Sequence, residues 1–381
     1  MNNNRIWLSP PHLCGKEEEY VQDAFNKNWI TTIGDNVTGF EKDVPLYLEQ
    51  EISTIALNSG TAALHLAFIL LNVKPGDYVI CQDLTFVATI NPIVYLGAKP
   101  VLVDSEKATW NMSPVFLEKA VEDCIRKGKK PKAIVWVNLY GMPAYVNEIK
   151  AIAQKYDIAL LEDAAESFGS VYCGEKCGTL GDLSVISFNG NKVITTSGGG
   201  MLLSKDQKQI EKARFYATQA RDKRPYYQHT EIGYNYAMSN ICAGIGRGQM
   251  TVLSQRVEQR RKNNAYYRKY LSDIAGISFQ TEPNADFYSN YWLTSILVDP
   301  EKTNGVTRED LRLALEAANI ESRPLWKPMH LQPVFADCPY YGDGTSEELF
   351  DKGLCLPSGS KLSEKELERV VDIIKLKVEG S

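Results

Sequence analysis

Ala133-Ile134-Val135-Trp136-Val137 is an unbroken apolar run. Tyr145–Tyr156 is an amphipathic stretch of helical length, and Ile158-Ala159-Leu160-Leu161 is a second apolar run that passes straight into Glu162-Asp163. A short strand without polar alternation has to be covered on both faces, and a helical segment between two such strands is the crossover that parallel pairing requires. The same rhythm extends in both directions. Runs rich in aliphatic and β-branched residues recur at Thr54–Leu57, Tyr78–Cys81, Pro100–Val103, Ser184–Phe188 and Gly200–Leu203, with Ser113–Arg126 a further amphipathic stretch. The alternation predicts an α/β fold: a large, mostly parallel sheet with helices on both faces. Ligands of such sheets sit beyond the carboxyl ends of the strands, which is where chemistry is to be sought.

The rest of the chain changes character. A charged helix is expected over Asp206–Arg221, then a tyrosine-bearing loop over Asp222–Tyr236. A long helix follows from Ser239 to about Tyr270, with the run Gln255–Lys262 read as its solvated face. After Asp273 come strand-like Tyr291–Val298, a helix at Thr307–Ala318, a Pro/Trp/His-rich stretch and a final helix at Ser363–Val378. These predict a smaller C-terminal α+β domain over residues 266–381, against a large domain over residues 1–265.

Composition excludes several classes. Of 381 residues, 44% are apolar and 23% charged, the balance of a soluble chain with a substantial core. Forty-two basic against 47 acidic residues leave a net charge of −5 with no long basic run, so neither nucleic acid nor an anionic membrane is expected as partner. The eight cysteines are scattered, and Cys173-x₃-Cys177 lacks a second ligand pair, so neither a disulfide scaffold nor a metal site is expected. Met1-Asn2-Asn3-Asn4-Arg5 has no apolar run of the signal-peptide kind, and the greasy stretch Ala62–Leu71 is about half the length of a membrane span. The chain therefore reads as cytoplasmic and reduced.

Three segments carry chemistry. In Leu57-Asn58-Ser59-Gly60-Thr61-Ala62-Ala63-Leu64 a strand enters a glycine turn that opens an apolar helix, and the free N–H groups of such a terminus bind anions. In Leu160-Leu161-Glu162-Asp163-Ala164-Ala165-Glu166, two aliphatic residues lead into carboxylates at a buried strand end, which need a partner. In Ser187-Phe188-Asn189-Gly190-Asn191-Lys192, one lysine stands in a tight polar loop, followed by Gly198-Gly199-Gly200. Each has an ordinary explanation alone: a helix cap, an N-cap acid, a surface lysine. Together they are the parts that a pyridoxal phosphate enzyme needs, namely a phosphate cradle, an acid for the pyridine nitrogen and a lysine for the aldehyde.

The order N-S-G-T-A-A-L (58–64), T-F-V-A-T (85–89), E-D-A-A-E (162–166), S-F-N-G-N-K (187–192) and G-Y-N-Y (233–236) resembles the DegT-type sugar-nucleotide aminotransferases, a branch of the fold type I pyridoxal phosphate enzymes. The resemblance spans nearly the whole chain, from Leu8-Ser9-Pro10-Pro11 to Leu356-Pro357-Ser358-Gly359. Asn189–Leu202 and Arg323–His330 are most similar to the branch acting on UDP-4-keto-6-deoxy-N-acetylglucosamine in the bacillosamine pathway.

The resemblance implies that Lys192 binds the cofactor covalently and later moves the substrate proton. Asp163 pairs with the pyridinium nitrogen, and Glu166 lies near the phenolic oxygen, where many relatives have glutamine. The N–H groups of Gly60 and Thr61 and the Ser187 hydroxyl hold the phosphate, and Phe86 stacks on the ring. Asn235 reaches the phosphate from the neighbouring subunit of a homodimer. Arg323, Trp326, Lys327 and His330 are the candidates for the nucleotide sugar, with Trp29–Thr32 a weaker one. Two positions depart from the pattern: Ala237, where arginine is common, and Asn138, where histidine is frequent.

The expected reaction takes the amino group of L-glutamate to the C4 keto group of a UDP-linked 4-keto-6-deoxy-N-acetylhexosamine for glycan biosynthesis. Attack at C3 of a dTDP- or UDP-linked sugar, or a galacto-configured 4-amino product, are the enzymatic alternatives. A silent binding subunit is the non-enzymatic one, and the intact Lys192, Asp163 and glycine turn argue against it.

Overall fold

The computed structural model describes residues 4–380; Met1–Asn3, part of the terminus discussed above, and Ser381 lie outside the described residues. The strands in chain order are β1 (Ser53–Leu57), β2 (Tyr78–Gln82), β3 (Lys99–Val103), β4 (Ala133–Val137), β5 (Ala159–Asp163), β6 (Val171–Tyr172), β7 (Glu175–Lys176), β8 (Leu183–Ser187), β9 (Gly200–Ser204), β10 (Ile277–Phe279), β11 (Phe287–Tyr288), β12 (Thr294–Val298), β13 (Arg323–Pro324), β14 (Tyr340–Tyr341) and β15 (Gly353–Leu356). Eight form one sheet in the order β1-β9-β8-β5-β4-β2-β3-β14. Within it β9 runs antiparallel to both neighbours and every other pairing is parallel.

Alternate residues of a strand point to opposite faces, and both faces here are apolar. Val135, Leu161 and Val185 pack with Leu64, Leu66 and Phe68 of helix Gly60–Leu70 on one side. Ile134, Trp136 and Leu160 pack with Leu117 and Val121 of helix Pro114–Arg126 and with Ile149 of helix Val146–Tyr156 on the other. The two-sided sheet expected from the unbroken apolar runs is therefore present, with the carboxyl ends of β4, β5 and β8 side by side.

A second sheet has the order β10-β12-β15-β13, all from beyond residue 265. The short β14, from the same part of the chain, joins the edge of the large sheet beside β3. A third sheet, β11-β6-β7, is small.

Three local readings are corrected. The single long helix is two, Asn240–Met250 and Leu253–Leu271. The backbone N–H and hydroxyl of Thr251 both donate to the Gly248 carbonyl, at 3.2 and 2.6 Å, and that closes the first helix. The charged run after the break is not a solvated face throughout: Arg256 and Arg260, one turn apart, are buried. Last, the strand expected from Tyr291 begins only at Thr294, because Tyr291 adopts a left-handed φ of 45°. That turn directs Trp292 toward the lysine loop.

Among the described residues no helix is long and apolar enough to cross a membrane.

Candidate active site

β5 ends in two carboxylates that face opposite ways. Glu162 is fully buried, and its oxygens accept from Asn138 Nδ2 at 3.0 Å, Ser184 Oγ at 2.9 Å and the N–H groups of Gly178 and Leu180, each at 2.9 Å. Four donors saturate it, so its role is to hold the strand end and the loops around it. Asp163 faces the other side. Its Oδ2 accepts from Thr89 Oγ1 at 2.8 Å and its Oδ1 from the Ala165 N–H at 3.1 Å. Burial raises its pKa, opposed by these two hydrogen bonds and by the charge of Lys192.

Lys192 follows β8 in a turn closed by its N–H donating to the Asn189 carbonyl at 3.0 Å. Its Nζ lies 3.8 Å from Glu166 Oε1 and 4.2 Å from the centre of the Trp292 ring. Burial lowers the lysine's proton affinity, against the pull of Glu166 and Asp163. Glu166 is held by the Tyr140 N–H at 2.7 Å and Trp326 Nε1 at 3.3 Å, and burial raises its pKa. An amine of reduced basicity beside two buried carboxylates is suited both to attack a carbonyl and to carry a proton.

The anion turn completes the site. Ser59 caps helix Gly60–Leu70: its Oγ accepts from the Ala62 N–H at 3.1 Å and its carbonyl from Ala63 at 3.1 Å. The N–H groups of Gly60 and Thr61 precede these and have no intrahelical acceptor. Ser187 abuts them, since a Cβ on Gly60 would lie 3.2 Å from its Oγ. Gly200 passes behind the turn so closely that a Cβ there would fall 2.4 Å from the Ser59 carbonyl oxygen, so no side chain fits.

Gly60, Thr61, Asp163, Glu166, Ser187 and Lys192 wall one cavity of about 310 Å³, and Phe86 and Trp326 line it too, with ring centres 5.1 Å apart. The donor set fits pyridoxal phosphate: N–H groups at a helix terminus for a dianion, a buried carboxylate for a ring nitrogen, and an amine of reduced basicity for an aldehyde.

A second cavity of about 720 Å³ adjoins the first, sharing Asn191, Trp292 and Trp326 with it. Arg323 and Lys327 line it together with Trp7 and Pro10. Arg323 also pairs with Glu321 at 2.8 Å. His330 lines neither cavity; its Nδ1 lies 2.8 Å from Asp83 Oδ2 and its Nε2 3.1 Å from Glu347 Oε1. Asn235 is also absent from both linings in its own chain; its carbonyl accepts from Asn58 Nδ2 at 3.1 Å. The carbonyls of Trp29 and Thr31 are taken by Asn240, at 3.0 and 2.8 Å, and this segment lines neither cavity.

The model of the DegT/DnrJ/EryC1/StrS aminotransferase family matches residues 12–375. The chain belongs to this family. It is 48% identical to EpsN of Bacillus subtilis (strain 168), which is named as a pyridoxal phosphate-dependent aminotransferase, over 98% of this chain and 95% of that one. It is 35% identical to a GDP-perosamine synthase of Escherichia coli O157:H7, over 96% of each chain. The pyridoxal phosphate form of the sugar aminotransferase Spr1654 of Streptococcus pneumoniae superposes with a TM-score of 0.90 at 25% identity, covering 99% of both chains. This DegT-family enzyme is thus a pyridoxal phosphate-dependent sugar aminotransferase of fold type I.

Four residues of the site went unread in the sequence. Thr89 stands inside the quoted T-F-V-A-T motif, and a hydroxyl three residues after an aromatic at a strand end was its available signal. Tyr140 lies two residues after Asn138, with φ 55°. Trp292 and Arg260 gave no local signal, because both reach the lysine loop from distant segments.

Proposed function

We propose that this aminotransferase transfers the amino group of L-glutamate to the C4 keto group of a UDP-linked 4-keto-6-deoxy-N-acetylhexosamine, giving a UDP-4-amino-4,6-dideoxy sugar for glycan biosynthesis. The observation that carries the reading is that the two cavities are adjacent and share Asn191, Trp292 and Trp326. The amine of Lys192 sits in the first, while the cations of Arg323 and Lys327 line the second, across the shared indoles of Trp292 and Trp326. A keto sugar reaching the lysine leaves its diphosphate and base toward two cations and apolar walls, and guanidinium and ammonium both suit phosphate oxygens.

In this reading the N–H groups of Gly60 and Thr61 and the hydroxyl of Ser187 hold the cofactor phosphate. Asp163 would hold the ring nitrogen and keep it protonated, Phe86 would lie against the ring, and Glu166 would meet the phenolic oxygen. The cofactor supplies an electron sink for the carbon that gains or loses the amine. Lys192 would hold the aldehyde and could carry the proton, for which its lowered basicity is an advantage near neutral pH. Asn235 completes the phosphate site from the partner in a homodimer. His330, engaged by Asp83 and Glu347 outside both cavities, has no part in sugar binding here.

A second reading replaces the uridine nucleotide by a guanosine one, on the strength of the relative named GDP-perosamine synthase. Incubation with L-glutamate and UDP-, GDP- or dTDP-linked 4-keto-6-deoxy sugars, with proton couplings of the product, separates the two. The expected result is turnover of the UDP-linked sugar with nitrogen at C4. Turnover confined to GDP- or dTDP-linked acceptors, or nitrogen at C3, overturns it.

A further inference from the structure

Arg260 lies on helix Leu253–Leu271, and only 1% of its surface is exposed. Among the described residues no carboxylate compensates it; burial, with Arg256 nearby, brings its pKa down to about 9. An uncompensated guanidinium is expensive to bury, so what it holds in return matters. Its Nη1 donates to the Trp292 carbonyl at 2.6 Å and to the Ser358 carbonyl at 3.3 Å. Its Nη2 donates to Ser9 Oγ at 3.0 Å and to the Lys192 carbonyl at 3.4 Å.

These contacts form a closed circuit. Ser9 Oγ in turn donates to the Asn191 carbonyl at 2.6 Å, and Trp292 Nε1 donates to that same carbonyl at 2.7 Å. The main chain of the lysine turn and the main chain of the Trp292 turn are therefore fastened to one planar fork. The indole carried by the second turn is the surface over which the Lys192 amine rests. We infer that Arg260 is a positioning residue of the transamination: by fixing the carbonyls of Lys192 and Trp292 together it sets the place from which the lysine amine acts.

The fork is what counts, since an ammonium keeps the charge but cannot span these acceptors in one plane. Arg260→Lys is expected to lower kcat about 100-fold, the penalty typical of a misplacement near 1 Å, while KM for glutamate and for the sugar nucleotide stays within about twofold. A second readout needs no cofactor. In the apoprotein, acetylation of Lys192 by acetic anhydride is followed against pH by peptide mass spectrometry. With its amine displaced from the buried seat, Arg260→Lys should shift the midpoint up, toward an ordinary lysine.

Tyr267→Phe is the stability control. Tyr267 is equally buried on the same helix and donates to the Pro357 carbonyl at 2.8 Å, but it touches neither turn. It should lose thermal stability and keep both kcat and the acetylation midpoint. Should Arg260→Lys not fold, Ser9→Ala removes the link to the Asn191 carbonyl and one acceptor of the fork, leaves the fork on the Trp292, Ser358 and Lys192 carbonyls, and is expected to lower kcat about tenfold with a smaller upward shift. Wild-type kcat and midpoint in the arginine variant, or in Ser9→Ala where that stands in, overturn the inference. Equal losses in Tyr267→Phe also overturn it, by showing that stability and not position was lost.

Discussion

The Nζ of Lys192 lies 4.2 Å from the centre of the Trp292 indole, whose own Nε1–H donates to the carbonyl of Asn191, the residue before the lysine. One side chain thus both supports the amine and ties down the loop that carries it. The face of an indole favours the charged form of an amine by about 0.5–2 kcal/mol. Replacing Trp292 with leucine keeps the surroundings apolar but removes that attraction, so the lysine's proton affinity should fall further, by up to about 1.5 units. The pH profile of Lys192 acetylation in the apoprotein checks this: a lower midpoint reads the lost attraction, whereas a higher one, as in Arg260→Lys, would mean that losing the Nε1–H bond to Asn191 has freed the loop.

Thr89→Val tests the strand-end acid. The Thr89 hydroxyl donates to Asp163 Oδ2 at 2.8 Å and favours the charged carboxylate, against the effect of burial. Without it the carboxyl pKa rises. One hydrogen bond to a charged group is worth about 1.5–3 kcal/mol, so kcat/KM at neutral pH should fall at least about tenfold. The loss should deepen as the pH is lowered, because the variant's acid protonates earlier. A pH–rate profile superimposable on wild type would contradict this.

The parts of this site that were legible in the sequence are those in which chemistry and main chain are adjacent. Gly60-Thr61 opens a helix directly after a strand, Asp163 ends an apolar run, and Lys192 stands in a loop of small residues; each is visible within about eight positions. The sheet was legible for a related reason, since strands covered on both faces leave no polar alternation. Trp292 and Arg260 were not legible. They reach the lysine turn across 101 and 68 positions, and they do so through carbonyl oxygens, which every residue has. Arg256 and Arg260, four apart in a charged run, have the spacing of a solvated face and of a buried one alike. His330 shows a different kind of illegibility: the 3₁₀ turn Met329–Leu331 directs it to Asp83, away from the neighbouring Trp326 and Lys327.

The His330 contact gives stability a pH dependence. Hydrogen bonding to Asp83, reinforced by that carboxylate's charge and by Glu347, raises the histidine's pKa above its ordinary value. A raised folded pKa means that the contribution is complete below about pH 6.5 and is lost as the pH climbs through the raised value. His330→Gln should therefore destabilise the protein at pH 6, by about 1.5–3 kcal/mol for a charge-assisted hydrogen bond, and much less at pH 9. Thermal unfolding at the two pH values reads it. An equal loss at both would mean that packing, not charge, is what the histidine supplies.

Asn138 separates stability from catalysis. Its Nδ2 donates to Glu162 Oε1 at 3.0 Å and to Ser167 Oγ at 3.2 Å, and its Oδ1 accepts the Ala144 N–H at 3.0 Å, all out of water. Leucine has nearly the same shape and none of these atoms. Asn138→Leu leaves the Ala144 N–H without its acceptor and removes one of the four donors to a buried carboxylate, for a loss of about 3 kcal/mol. The urea midpoint of the apoprotein should fall with an unchanged slope. Activity should respond far less. Glu162 is still held by Gly178, Leu180 and Ser184, and it lies on the face of β5 opposite Asp163, so the cavity keeps its shape as long as the protein is folded. If kcat instead fell as steeply as in Thr89→Val, the two carboxylates at this strand end would have to act as one unit, and the division of labour between structural Glu162 and functional Asp163 would be wrong.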